Sequence, residues 1–113
     1  MNVTAFAAAG FALISVGTAS ASDRVTDVQY LQANRCRALA ASEMLGPRDT
    51  SSIDAFLTAE GRARPAAVLN MAQDAQNRAR RQAQSVDRKA RLEAELNGAC
   101  VAYLNPAGAV GRP

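Results

Sequence analysis

The sequence predicts an all-α fold: a small bundle of three to four helices behind an N-terminal signal peptide, stapled by one disulfide. Three observations carry that prediction. Apolar and small residues recur at three- and four-residue spacing from about residue 25 onward, the period of helices with one buried face. Helix punctuation stands at Gly46-Pro47, Gly61, Pro65 and Asn105-Pro106, and no strand alternation of useful length occurs. The chain has only two cysteines, Cys36 and Cys100. At 113 residues the length allows one domain at most. Its organisation reads as a signal peptide over 1–21, a helical domain over 22–105 and a flexible tail over 106–113.

The first segment has no charged side chain from Met1 to Ala21. Ala5 to Val16 is a continuous apolar run of signal-peptide length, and Ala19-Ser20-Ala21 fits the small-residue cleavage pattern, with the cut before Ser22. The run is short for a bilayer span and rich in Ala and Gly, which argues against a permanent membrane anchor. The expected location is therefore periplasmic or secreted. In such an oxidising compartment Cys36 and Cys100 are expected to pair. They lie 64 residues apart, a loop for which chain entropy gives about 4 kcal/mol of stabilisation.

A first helix is expected from a cap at Ser22 or Asp23 to about Leu45. Val25, Val28, Leu31, Cys36 and Leu39 fall on one stripe of its wheel. Gly46-Pro47 closes it, with Gly in the left-handed position. Thr50, Ser51 or Ser52 can cap a short second helix, whose apolar face is Ile53, Phe56 and Leu57. Gly61 is its stop, and Phe56 is its expected core anchor.

Pro65 suits the first position of a third helix, where its missing N–H is not needed. Val68, Ala72, Ala75, Ala79, Ala83, Val86 and Ala90 form one stripe beyond it; Leu92, Leu96, Ala99 and Tyr103 form a second, out of phase. Two readings follow: one long helix, or two helices joined near Ser85-Val86-Asp87. The disulfide favours the turn, because an unbroken helix of that length would run about 60 Å and carry its end away from Cys36. Gly98 marks a softer break.

Function is less legible. His is absent, which removes His-based triads and the usual zinc and haem sites. No nucleophile elbow, P-loop or Gly-rich dinucleotide turn occurs. No enzyme activity and no cofactor are implied. Glu93 and Glu95 point to different sides of a helix, and Met44 and Met71 are too few for a thioether metal site.

The net charge of +3 hides a local concentration. From Arg78 to Arg91 six positive side chains (Arg78, Arg80, Arg81, Arg88, Lys89, Arg91) face one acid, Asp87. Arg78, Arg81, Arg88, Lys89 and Arg91 are the candidate contact residues for an acidic protein or an anionic envelope surface. The competing reading is a solvated helix face. Nucleic acid is not expected, because no aromatic residues interleave the charges. The alanine stripe is expected to pack within the chain, with a homodimer as the alternative. A small-ligand carrier, for an apolar or haem-like molecule held among Phe56, Leu57, Tyr30 or Tyr103, is the alternative function. In architecture this type, a small exported helical protein with one disulfide, is similar to several unrelated bacterial groups, including helical periplasmic chaperones and haem-carrying proteins.

Overall fold

A computed structural model describes residues 24–106, and among them every regular element is helical. Five α-helices follow in order: α1 (Asp27–Ala40), α2 (Ser51–Gly61), α3 (Ala66–Ala83), α4 (Lys89–Asn97) and the single turn α5 (Val101–Leu104). Short 3-10 turns at Glu43–Leu45 and Val86–Arg88 join α1 to the next loop and α3 to α4. The expected signal peptide, and the tail beyond Pro106, lie outside the described residues.

α1 starts at Asp27 with Thr26 as its cap; the expected caps Ser22 and Asp23 lie outside the described residues. The Thr26 hydroxyl accepts the Gln29 N–H at 3.1 Å, and the Gln29 side-chain oxygen accepts the Thr26 N–H at 2.9 Å. This reciprocal capping box satisfies two backbone donors that a helix start leaves orphaned. α1 also ends earlier than expected, at Ala40. The chain then tightens into the Glu43–Leu45 turn, and Gly46, at φ 83°, closes that turn rather than the helix.

The buried face of α1 differs from the predicted stripe. Cys36 and Leu39 are fully buried as expected, but Val28 is 72% exposed. The contact line runs instead through Tyr30, Ala33, Cys36 and Ala40. The reason is α3, which lies along α1 in the most extensive helix–helix contact of the fold. It presents Ala72, Ala79 and Ala83, all buried. Small side chains on both helices let the backbones approach, so the smallest residues define the contact and the larger Val28 is left on the flank. Ala72, Ala79 and Ala83 of the alanine stripe are therefore used within the chain, while Ala75 is only half-buried. Asn34 adds a polar tie: its side chain donates to the Tyr30 carbonyl at 2.9 Å and accepts from Gln76 of α3 at 2.7 Å.

In α2, Ile53 is the fully buried residue. Phe56 is only partly buried, against the core's edge, with its ring centroid 5.9 Å from that of Tyr103. Thr50 precedes the helix but makes no capping bond; the Asp49 carboxylate accepts the Ser51 N–H at 2.9 Å instead. Gly61 ends the helix as expected, and its lack of a side chain has a second use. A β-carbon there would stand 2.9 Å from the Tyr30 hydroxyl.

Pro65 occupies the cap, one residue before the expected position. α3 stops at Ala83, and Ser85 takes an extended conformation that turns the chain without Gly or Pro. The segment is thus two helices, and the predicted stripe does not continue: Val86 and Ala90 are exposed. α4 folds back with Leu92 and Leu96 fully buried, and Gly98 follows its end. Ala99 is exposed and Tyr103 only partly buried. Cys36 and Cys100 are disulfide-bonded, with Cα atoms 5.5 Å apart. The bond ties the interior of α1 to the segment after α4, beside Leu39, Ile53, Leu92 and Leu96.

Candidate functional site

The arginines divide into two populations. Among the described residues the ion pairs are Arg35–Glu95, Arg37–Asp54, Arg64–Asp27 and Arg64–Glu60. All join elements of the bundle or brace a turn. Arg35 holds Glu95 of α4 with two parallel bonds of 2.7 and 2.9 Å. This fork raises the Arg35 pKa further, against partial burial, which lowers it.

Arg64 is the hub of a second network. Its guanidinium donates to Asp27 at 2.6 Å, to the Val25 carbonyl at 2.8 Å and to Glu60 at 2.9 Å. It also lies over the Tyr30 ring, 5.2 Å from the centroid. Its side chain is only 10% exposed. The hydrogen bond to Asp27 is the main cause of a raised pKa, with Glu60 adding to it and desolvation opposing it. One Arg thereby fastens the start of α1 to the end of α2. The sequence signal was the i, i+4 spacing of Glu60 and Arg64; the reach to Asp27 and Val25 had none.

The basic stretch behaves differently. Arg78, Arg80, Arg81, Arg88, Lys89 and Arg91 are all exposed, and none is in an ion pair within the described residues. The turn at Ser85 separates Arg78 and Arg81, on α3, from Arg88, Lys89 and Arg91, around the start of α4. The five candidate contact residues therefore do not lie on one continuous helix. Arg80 is tethered to the Asn77 amide oxygen at 2.8 Å. Arg78 lies on the flank of α3 that borders α1, in a groove with Asp74 and Met71. What remains at the α3–α4 corner is Arg81, Arg88, Lys89 and Arg91, with Asp87 among them.

Helix electrostatics account for part of this set. Arg80 and Arg81 stand in the last turn of α3, where positive charge is favourable. Arg88, Lys89 and Arg91 surround the first turn of α4, which contains no acid. Positive charge there opposes the helix dipole. Val86, 74% exposed, sits at the same corner.

The expected ligand-pocket residues come together only in part. Phe56 and Tyr103 line a cavity of about 310 Å³ with Arg24, Val25 and Gln29. Tyr30 is instead buried beneath Arg64, and Leu57 packs against the core. Met44 and Met71 border different grooves. Among the described residues no group of three or more His, Cys, Asp or Glu is placed to hold a metal ion, and no helix is long and apolar enough to cross a membrane. Compared with family models, curated proteins and solved structures, the chain matches none.

Proposed function

We propose that this chain is an exported, non-enzymatic interaction module whose α3–α4 corner contacts an anionic partner: an acidic protein or an anionic envelope surface. One observation carries the reading. Within the described residues Arg81, Arg88, Lys89 and Arg91 are exposed and in no ion pair, whereas Arg35, Arg37 and Arg64 are each tied to a carboxylate. Three of the four corner cations also stand where the α4 dipole disfavours them, so an external anion would relieve both the dipole and their mutual repulsion. Arginine's planar fork suits carboxylate or phosphate. Export rests on the apolar run and Ala19-Ser20-Ala21. A disulfide is compatible with an oxidising compartment.

The test is binding of the purified, disulfide-bonded protein to vesicles containing anionic lipid and to an acidic polypeptide, each at low and high salt. Salt-sensitive retention by one of them, lost in Arg81→Gln/Arg88→Gln/Arg91→Gln, supports the reading. No retention at low salt, or retention indifferent to the substitutions, rejects it. Intact mass of the exported protein, beginning at Ser22 within two residues, tests the export half separately.

The carrier reading is favoured by the Phe56–Tyr103 cavity, in which aromatic walls stand beside the Arg24 guanidinium. Apolar carboxylates should then raise the melting temperature of the parent and not of Tyr103→Ala. No shift with any of them removes that reading.

A further inference from the structure

α3 carries a second seam besides the alanine face that meets α1. Met71, Asp74, Ala75 and Arg78 recur at i, i+3, i+4 and i+7, and all four line one groove between α1 and α3. The groove has a volume of about 400 Å³. Its α1 wall presents Val28, Leu31, Gln32 and Arg35, the last already paired with Glu95. Two of its side chains are large, apolar and mostly in solvent: Val28, 72% exposed, and Met71, 52% exposed. Among the described residues Val28 and Met71 stand exposed, although few large apolar residues are available to the chain.

The charges on the seam point to the occupant. Asp74 and Arg78 are one helical turn apart, both exposed, and neither is in an ion pair within the described residues. A purely acidic partner would meet Arg78 but be repelled by Asp74; a purely basic one would face the reverse. A second copy of the chain carries the complement by construction. When two α3 helices cross antiparallel about a two-fold axis, Asp74 of each faces Arg78 of the other, because an isologous contact pairs residue i with j and j with i. A parallel crossing would set like charges together. Ala75 lies on the same seam, and its methyl group lets two backbones approach.

We infer that the α1–α3 groove is a self-association surface: two copies pack α3 against α3 antiparallel, covering Val28 and Met71 and forming two reciprocal Asp74–Arg78 pairs. This inference does not rest on the anionic-partner reading, which keeps Arg81, Arg88, Lys89 and Arg91 at the corner. It differs from a dimer through the whole alanine stripe, since Ala72, Ala79 and Ala83 are buried and only Ala75 of that stripe lines the groove.

Sedimentation equilibrium of the disulfide-bonded protein over a concentration series, with parallel circular dichroism, tests it. The parent should dimerise reversibly. Asp74→Arg alone and Arg78→Asp alone should each weaken the dimer about tenfold or more, by placing like charges together. The double exchange Asp74→Arg/Arg78→Asp should restore affinity to within a few-fold of the parent. Val28→Gln/Met71→Gln should weaken dimerisation with an unchanged helical spectrum. A parent that stays monomeric across the series overturns the inference. So does a dimer indifferent to the single reversals, or one that the double exchange fails to rescue. None of these outcomes alters the salt-sensitive retention assigned to the corner, so the two proposals fail separately.

Discussion

Two sets of cationic side chains in this chain stand in different surroundings. Arg35, Arg37 and Arg64 sit where helices meet, and each is bound to a carboxylate from another part of the bundle or from the same turn. Arg81, Arg88, Lys89 and Arg91 sit at the α3–α4 corner and are in no ion pair within the described residues. The first set helps to hold together a fold that is poor in large apolar side chains. The second set adds little to the fold and, around the start of α4, acts against the helix dipole. The same residue type thus supplies structure in one region and a surface in the other. Partner geometry, rather than local charge density, decides which. Substitutions that lower stability in the first region and leave it untouched in the second would sharpen this contrast.

The largest effect is expected where the covalent staple meets the paired region. Cys36→Ser removes the bond to Cys100 and leaves a hydroxyl in a fully buried position. Denaturant unfolding should show a loss of about 2–5 kcal/mol. A loss below that range would mean that packing of Leu39, Ile53, Leu92 and Leu96 alone sustains the bundle. Next comes Arg64→Ala, which strips partners from Asp27, Glu60 and the Val25 carbonyl and uncovers the Tyr30 ring. Its melting temperature should fall further than that of any other single Arg→Ala variant. An unchanged melting temperature would break the distinction between the two sets.

A smaller effect separates geometry from packing. Arg35 and Glu95 are both partly buried and meet through two parallel bonds. A double-mutant cycle between Arg35→Ala and Glu95→Ala should give a coupling of about 1 kcal/mol, near the upper end for pairs in contact with solvent. The same cycle between Arg91 and Asp87 should give a coupling indistinguishable from zero.

Much of the fold was legible because it is written in local chemistry. The two cysteines, in a chain read as exported, identified the staple; the phase slip between the alanine stripe and Leu92-Leu96 left one helix or two open, and the staple favoured the break between α3 and α4. The buried face of α1 was not legible. A hydropathy wheel weights Val28 and Leu31 above Ala33 and Ala40, but close helix approach selects the smallest residues, and only the partner helix reveals where that approach occurs. The cap at Thr26 was available, since Gln29 lies three residues on, but Ser22 and Asp23 offered equally good side chains nearer the proposed cleavage point. Arg64 was the least visible feature. Its neighbours in sequence give one partner, Glu60, while Asp27 and Val25 stand 37 and 39 residues away. At the corner the charges can be counted in the sequence, but not that none of the four cations is in an ion pair within the described residues, where Glu95 is taken by Arg35.

Acid pH offers a weaker probe of the paired region. The Asp49 carboxyl lies below its ordinary value of 3.8, chiefly because it accepts the Ser51 backbone N–H at the start of α2. A carboxyl with a depressed folded pKa stabilises the fold above its unfolded value and loses that contribution as pH falls through the folded one. Asp49 therefore adds a small dependence below about pH 4. Asp49→Asn keeps an oxygen for the Ser51 N–H but cannot titrate, so its acid unfolding curve should be slightly flatter than that of the parent. An identical curve would remove Asp49 from the acid response.

The smallest stability effect, and the one with the most functional content, belongs to the corner. Arg81→Gln/Arg88→Gln/Arg91→Gln removes three exposed cations that are in no ion pair within the described residues. Exposed charges contribute little to folding, and two of these three oppose the α4 dipole, so stability should stay within about 1 kcal/mol of the parent and need not fall at all. The paired-region variants set the scale against which that constancy is judged. Binding should respond in the opposite sense: retention on anionic vesicles or acidic polypeptide should drop, and the loss should resemble that produced in the parent by raising salt. A large destabilisation would place these arginines with Arg35 and Arg64 as structural residues and dissolve the contrast. Unchanged stability with unchanged retention would leave the corner a solvated helix end, with no anionic partner.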